Sequence, residues 1–429
     1  MRKGILKLSV LLVVVAAVIA VASIAISQNS RVKRDELYRV IDLFSDSFAI
    51  IQSDYVEEID PKTLVYGALK GMLLSLDAHS QFMDPETYNE LKIDTTGQFG
   101  GLGIEITIKD GLLTVVTPIE DTPAWRAGIK AGDRIVKVNG ELTRDISLTE
   151  AVKKLRGKPK TEINMTVLRE GEGKLLDFKI VREIIKIKDI KDACILKDGI
   201  GYIRLVEFRQ NTPQDVRAAI RSLKEQGLQA LILDLRNNPG GLLDVAVKVT
   251  EDFLEKGKLI VSTRGRKEDQ NLEFYSKNKK ADLDLPLLVL INHGSASGSE
   301  IVAAAFQDYH RAIILGTKTF GKGSVQTVIP LSDGSAIRLT TSKYFSPNGR
   351  AIHGQGIEPD IIVEEAKVEL AEEEKEQEEL AKDIFEELEE EEIKEGLEEE
   401  IPEQYRKDNQ LMQAMDVLRA IKIYNHSDK

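Results

Sequence analysis

Three serines crowd a nine-residue stretch, Asn292-His293-Gly294-Ser295-Ala296-Ser297-Gly298-Ser299-Glu300, which ends an apolar run and opens a helical pattern. Lys322 follows 25 residues after Ser297, set between Gly321 and Gly323, with Gln326 four residues further on. Together these residues read as a serine nucleophile and the lysine that deprotonates it. A lysine with the usual pKa of about 10.4 is neutral in roughly one molecule in 2500 at pH 7. Bringing that pKa near 7 costs about 4–5 kcal/mol, normally through burial. Phe320 and the glycine-lined turn are expected to form the dry niche, and Gln326 to hold the lysine without adding charge. Among the serines, Ser297 is preferred because Ser297-Gly298-Ser299-Glu300 fits a capping box, which places Ser297 at a helix start. The partial positive charge there favours an alkoxide and, with the Gly298 N–H, an oxyanion. Taken alone, that stretch reads more simply as a helix cap. Lys322 at its distance tips the balance.

Rival chemistries fit less well. Gly-Lys-Gly lacks the glycine and Ser/Thr order of a Walker loop, so a nucleotide is not expected. Serine paired with histidine is the enzymatic alternative, but His79, His310 and His353 have no supporting neighbours and His293 lies only four residues before Ser297. The five histidines show no ligand spacing, so neither a metal nor a cofactor is expected. The single cysteine, Cys194, excludes an intramolecular disulfide and reads as a small core residue.

A chain of 429 residues with 42% hydrophobic content has room for two or three cored domains. The net charge of -12 is concentrated: Val363 to Glu400 holds 20 acidic and 4 basic residues, a local -16, so the remainder carries +4. No basic patch interleaved with aromatics occurs, which argues against a nucleic-acid partner.

The elements that must position Ser297 and Lys322 follow in order. Residues 1–34 contain about 19 strongly apolar residues, Leu8 to Ile26, flanked by basic residues. That length crosses a bilayer core, so an N-terminal membrane anchor is expected, with a cleaved signal peptide as the rival. Either places the catalytic region outside the cytoplasm, in the periplasm where there is one, attached to the inner membrane if the anchor stays. Residues 35–95 read as helical: Leu37, Val40, Ile41, Phe44 and Phe48 make one stripe, and Leu64, Ala68, Met72 and Leu76 a second. Residues 96–182 carry a glycine-rich loop, Gly101-Leu102-Gly103-Ile104, running into a strand, and then short strands and two helical segments in an order that resembles a PDZ domain. Such domains bind a peptide C-terminus by strand addition beside a carboxylate loop.

Residues 183–362 alternate strands and helices. Thr212 is expected to cap a helix with Pro213 at its first position. Ala230 to Leu235 reads as a strand buried on both faces, delivering Arg236-Asn237-Asn238-Pro239-Gly240-Gly241. That turn suits an oxyanion hole, although such turns more often only connect elements. Thr327 to Tyr344 reads as a hairpin around Ser332-Asp333-Gly334. Residues 363–400 are an acidic low-complexity segment, solvated or disordered, and 401–429 hold an amphipathic helix expected to dock.

Ser295 to Ile301, Phe320 to Gln326, Arg236 to Gly241, Tyr344-Phe345-Ser346-Pro347, Gly356 to Asp360 and Asp77 to Phe82 together resemble the carboxyl-terminal processing proteases of peptidase family S41. The resemblance covers about residues 35–365 and implies a mixed, multi-domain α/β fold: an N-terminal helical region, a PDZ domain inserted before a ClpP/crotonase-like protease core, and a helical C-terminal tail. It implies a serine endopeptidase with Ser297, Lys322 and Gln326 in the Ser/Lys/Gln roles. It also implies Gly240 or Gly241 and Gly298 as oxyanion N–H donors, and a PDZ domain that takes substrates with free C-termini. The Glu-rich insert departs from the compact tails of that family and leaves its C-terminal assembly contacts open. Helices at both ends suggest a homodimer, and no regulatory partner is identified. The alternative from a different class is a catalytically silent PDZ scaffold that binds C-terminal tails.

Overall fold

The computed structural model describes residues 36–109, 111–144, 146–172, 174–277, 285–366 and 402–427. The expected N-terminal anchor at 1–34 and nearly all of the acidic segment lie outside the described residues. Among the described residues, no helix is long and apolar enough to cross a membrane. The chain divides into two units, one ending at Asp84 and one beginning at Pro85.

In the first unit a helix spans residues 36–54 and a second runs Pro61–Leu74. Asp60 caps the second helix by accepting the Lys62 N–H at 3.0 Å, with Pro61 at the first position, where a missing N–H costs nothing. The Leu37, Val40, Ile41 and Phe44 stripe is present but exposed. The second expected stripe is only half realised: Leu64 and Ala68 are half-buried, whereas Met72 and Leu76 face solvent. The buried face comes instead from Leu73 with Phe82 and Met83 of the strand Gln81–Met83, and the Tyr66 and Phe82 rings meet 4.7 Å apart. Asp77 builds the intervening turn by accepting the His79 and Ser80 N–H groups at 2.7 and 2.8 Å.

The second unit opens with the helix Pro85–Thr96 and then forms the PDZ-like sheet. Strands Ile104–Lys109, Leu112–Pro118, Arg134–Val138, Glu162–Leu168 and Leu176–Val181 lie in that order, all antiparallel. Alternation sends Ile163, Met165 and Val167 inward onto Ala151 and Leu155 of the helix Leu148–Leu155. Ser147 starts that helix with a complete capping box with Glu150.

The remaining core is a six-stranded sheet ordered Ile190–Ile195, Ile200–Leu205, Ala230–Asp234, Leu287–Ile291, Ile313–Gly316 and Ile361–Ile362, parallel except for the first pair. Leu231 and Leu233 point to one face, where helices Thr212–Glu225, Leu243–Glu251 and Gly298–Asp308 pack. Ala230 and Ile232 point to the other, covered by Leu411, Ala414, Met415 and Leu418 of the helix Asn409–Ser427. A strand with helices on both faces has no polar side, which explains its continuous apolar sequence. The C-terminal helix therefore docks as expected. The helix at 212 departs in detail: its cap is Asn211, and Thr212 instead accepts the Arg209 N–H and donates to Asp189.

A second, antiparallel sheet contains Leu259–Gly265, Leu272–Tyr275, Ser324–Pro330 and Ala336–Phe345. Its last two strands are the hairpin legible in the sequence. Asp333 ties the turn by accepting from both the Ser335 N–H and hydroxyl, and Gly334 takes φ +87°.

Candidate active site

The strand Leu287–Ile291 ends at Asn292, and the chain beyond it is stitched to the loop 236–241. Asn292 Oδ1 accepts the Asn237 N–H at 2.9 Å, and the Ala296 N–H donates to Asn238 O at 3.0 Å. Ser295 Oγ donates to Leu235 O at 2.7 Å, and Ser299 Oγ to Asn238 O at 2.9 Å. Two of the three serines are thus consumed by fixing that loop. Ser297 alone of the three lines a cavity of about 610 Å³, together with Gly240, Gly241, Lys322, Gln326, Arg338 and Tyr344.

Ser297 has φ +52°, ψ -108°, outside the regions a side chain normally adopts. Such strain costs of order 1–3 kcal/mol and persists only where the surroundings enforce it. Here they do so through Glu300. The expected capping box is only half formed: the Ser297 N–H donates to Glu300 Oε2 at 2.8 Å, but the Ser297 side chain makes no cap bond. The Glu300 N–H turns instead to Ser297 O at 3.0 Å. The hydroxyl is consequently left to the cavity, which Tyr344 also lines.

Glu300 is fully buried and gathers the lysine loop as well. Its Oε1 accepts from Thr319 Oγ1 at 2.6 Å and the Gly321 N–H at 2.7 Å; its Oε2 takes the Lys322 N–H at 2.8 Å. One carboxylate therefore holds the backbone of Ser297 and of Lys322 in register. Gly323 completes the loop where only glycine fits, since a Cβ would lie 2.1 Å from His353 N.

Burial first, and then the Arg338 guanidinium, hold the Lys322 amine below its ordinary pKa, while Glu300 pulls the other way. Phe320 does not provide that shielding. It is 56% exposed and faces His293, with ring centroids 5.5 Å apart, because its N–H is drawn back to Ser295 O. Gln326 lines the cavity, but its Nε2 donates to Ser324 Oγ at 2.9 Å, and among the described residues no hydrogen bond joins it to Lys322. No bond joins Ser297 Oγ to Lys322 Nζ either.

The loop Arg236–Gly241 is equally constrained. Arg236 reaches Asp234, Asp408 and Gln410. Burial works against its charge, yet the two aspartates hold its pKa above the ordinary range. The Gly240 N–H donates to Asn238 Oδ1 at 2.9 Å, whereas no partner for the Gly241 and Gly298 N–H groups occurs among the described residues. Gly240 has φ +102°, and a Cβ there would come within 2.7 Å of Ser297 Cβ and Gly298 N.

Away from the cavity, the loop Gly101-Leu102-Gly103-Ile104 stands at the head of the PDZ sheet. Leu102 O and Gly103 O accept the Ala124 and Ile119 N–H groups at 2.9 and 2.8 Å. Gly103 adopts φ +77°, with no room for a Cβ beside Thr122. No histidine lines the 610 Å³ cavity. Among the described residues no group of three or more His, Cys, Asp or Glu is placed to hold a metal ion.

Sequence reasoning missed the reach of Glu300 to the lysine loop and the position of Tyr344. Glu300 was visible only as a capping residue, and Tyr344 only as part of the stretch Tyr344-Phe345-Ser346-Pro347, with no role attached to it.

The model of peptidase family S41 matches residues 199–363, a PDZ domain model matches 114–169, and a model described as the activating protease CtpB N-terminal domain matches 15–87. A carboxy-terminal-processing protease of Bartonella bacilliformis is 47% identical over 357 residues, covering 82% of each chain. This chain belongs to the carboxy-terminal-processing proteases of family S41. A probable CtpA-like serine protease of Staphylococcus aureus is 36% identical, over 83% of this chain and 71% of the relative. Among solved structures, a photosystem II D1 C-terminal processing protease is similar at 30% identity, with a TM-score of 0.44, over 75% of this chain and 92% of that one. As a member of this family the chain is a serine-type peptidase with a PDZ domain, an N-terminal helical region and an S41 protease core. The silent scaffold is set aside.

Proposed function

We propose that the chain is an endopeptidase in which Ser297 attacks the peptide carbonyl and Lys322 takes the serine proton and returns it to the leaving amine. The observation that carries this reading is the meeting of Ser297 and a half-buried Lys322 in one cavity, with Glu300 bonded to the backbone of both. Gln326 is assigned the orienting role. It takes that role by turning its side chain from Ser324 to Lys322 when substrate enters. The Gly241 and Gly298 N–H groups are the oxyanion donors; Gly240 is left out because its N–H is taken by Asn238. The Gly101–Ile104 loop receives the C-terminal carboxylate of the substrate through the Leu102 and Gly103 N–H groups, which have no partner among the described residues. We further assign an exported location with a membrane-inserted N-terminal segment, on the apolar run Leu8 to Ile26. A homodimer through the exposed apolar face of the helix at 36–54 is the assembly we assign.

The test uses an unstructured polypeptide with a free C-terminus and its C-terminally amidated twin. The free form is expected to be cleaved and the amidated form much less. Ser297→Ala and Lys322→Ala are each expected to abolish cleavage. Wild-type cleavage by either would sink the dyad, and equal cleavage of the two polypeptides would sink tail recognition.

A further inference from the structure

The loop that carries Gly241 toward the serine begins at Arg236, and that residue is bonded to the far end of the chain. Its side chain is 10% exposed, and each of its five N–H groups has an acceptor. Nε donates to the Asp234 carboxylate at 3.0 and 3.1 Å, and Nη2 to Asp234 Oδ2 at 2.7 Å. Nη2 also donates to Asp408 Oδ2 at 2.6 Å, and Nη1 to Asp408 Oδ1 and Gln410 Oε1, both at 2.9 Å. Asp408 lies 172 residues further along the chain, where its Oδ1 accepts the Leu411 N–H at 3.0 Å at the start of the helix Asn409–Ser427. Gln410 is buried and donates in turn to Val363 O at 2.7 Å. Asp234 completes the set by accepting the Arg236 N–H at 2.9 Å and the Tyr202 hydroxyl at 2.8 Å.

Docking of the helix does not require this cluster. Leu411, Ala414, Met415 and Leu418 are fully buried against the sheet and supply the apolar area that holds a helix in place. Taking an arginine and two carboxylates out of water is costly, and an apolar set of the same size would dock the helix as well. What the guanidinium adds is direction, because a planar fork bonded to a carboxylate on each side cannot turn. Direction matters at this residue, since the chain beyond it bends sharply, with φ +57° at Asn237, +102° at Gly240 and +141° at Gly241. At the other end of the loop the Phe208 N–H donates to Gly240 O and Phe208 O accepts the Leu242 N–H, both at 2.8 Å. Gly241 is held between these two anchors and lines the cavity.

We propose that Arg236 is a positioning residue of this protease, held by Asp408 and Gln410, so that the chain's own C-terminal segment completes the oxyanion site. This inference rests on Ser297 as the nucleophile and Gly241 as an oxyanion donor. Arg236 does not line the cavity and acts only through the loop. When Oγ bonds the carbonyl carbon, the carbonyl π pair moves onto its oxygen, and the Gly241 and Gly298 N–H groups gain most at that moment. A loop free to drift at Arg236 blunts this gain and leaves the binding of the uncleaved peptide as it was.

Asp408→Asn in the full chain keeps the size of the side chain but offers one accepting oxygen, so its NH₂ opposes an Arg236 N–H. On a peptide with a free C-terminus, kcat is expected to fall about ten- to a hundredfold with KM level, as for a displaced oxyanion donor. A peptide aldehyde, whose adduct with Ser297 puts an oxygen where the oxyanion forms, should lose affinity by the same factor. A variant that is merely part-unfolded loses kcat through fewer working sites and leaves the aldehyde's inhibition constant unchanged. A wild-type kcat, or a lower kcat with an unmoved inhibition constant, overturns the proposal. Should Asp408→Asn not fold, Arg236→Lys carries the same test, since it keeps a charge beside Asp234 and loses the fork. Two controls separate this failure from that of the reading beneath it. Wild-type cleavage by Ser297→Ala means that the nucleophile assignment has failed. Glycolic acid at position 241 replaces the N–H by an oxygen, and wild-type aldehyde affinity there means that the donor assignment has failed. If both controls lose function while Asp408→Asn works like wild type, only the role of the clamp is refuted.

Discussion

Replacing Glu300 by glutamine tests the link between the nucleophile and the base. The carboxylate accepts four hydrogen bonds, two on each oxygen, at 2.6–2.8 Å. An amide offers one accepting oxygen, so its NH₂ must face one pair of donors. The cheaper orientation turns the NH₂ toward Thr319 and Gly321, because the Thr319 hydroxyl can rotate to accept while still receiving the Ile357 N–H at 2.7 Å. The Gly321 N–H is then left buried and opposed by another donor, which costs about 1–3 kcal/mol. That cost falls one residue from Lys322. A displacement near 1 Å at a reacting group is worth about a hundredfold in rate, so kcat should drop at least tenfold. The pH profile supplies a readout that mere loosening would not move. Lys322 must be neutral to accept the serine proton, so kcat/KM rises with pH through the lysine pKa of the free enzyme. The Glu300 charge raises that pKa, and its removal should shift the acidic limb to lower pH. Arg338→Met removes a charge that lowers it, and should shift the limb to higher pH. Steady-state kinetics from pH 5 to 10 on the three proteins decide the matter. An acidic limb that stays in place in both variants, or moves in the opposite sense, refutes Lys322 as the titrating base.

Two further outcomes follow from the same geometry. Gly240→Ala places a methyl group 2.7 Å from Ser297 Cβ at a backbone φ of +102°, so peptide cleavage should fall a hundredfold or more while circular dichroism keeps the wild-type helix and strand content. Lys322→Met should be inactive yet more resistant to urea at pH 7. The native lysine pKa lies below its unfolded value, so the native state binds fewer protons, and wild-type stability rises with pH through that window. The gain in the variant should therefore shrink as pH approaches 10.5, and a gain that grows with pH would contradict the burial argument.

Much of the architecture was legible because it rests on local rules. The nearly all-apolar strand at 230–234, the hairpin turn at Ser332-Asp333-Gly334 and the Ser147/Glu150 capping box all have sequence signatures whose cause lies within a few residues. The second helical stripe failed because periodicity shows that a helix has an apolar face, not which residues another element will cover. Leu73 is buried while the adjacent Met72 looks out, and Tyr66 of the same helix meets Phe82 of the following strand.

The site divides in the same way. Residue types and spacing by themselves determined that a serine at a helix start and a glycine-flanked lysine were the pair to watch, because few other roles need those residues at that distance. Only the tertiary structure decided how they are held. Ser295 and Ser299 are removed as candidates by carbonyls of Leu235 and Asn238, some sixty residues away. Gly240 is removed as an oxyanion donor by an asparagine side chain, and Phe320 as a shield by its own exposure. Glu300 joins segments up to 22 residues apart through hydrogen bonds that no sequence period encodes, and Tyr344 reaches the same cavity from further along the chain. Such contacts depend on where a carboxylate or phenol arrives after the sheet has formed, and that is fixed by packing rather than by neighbours in the chain.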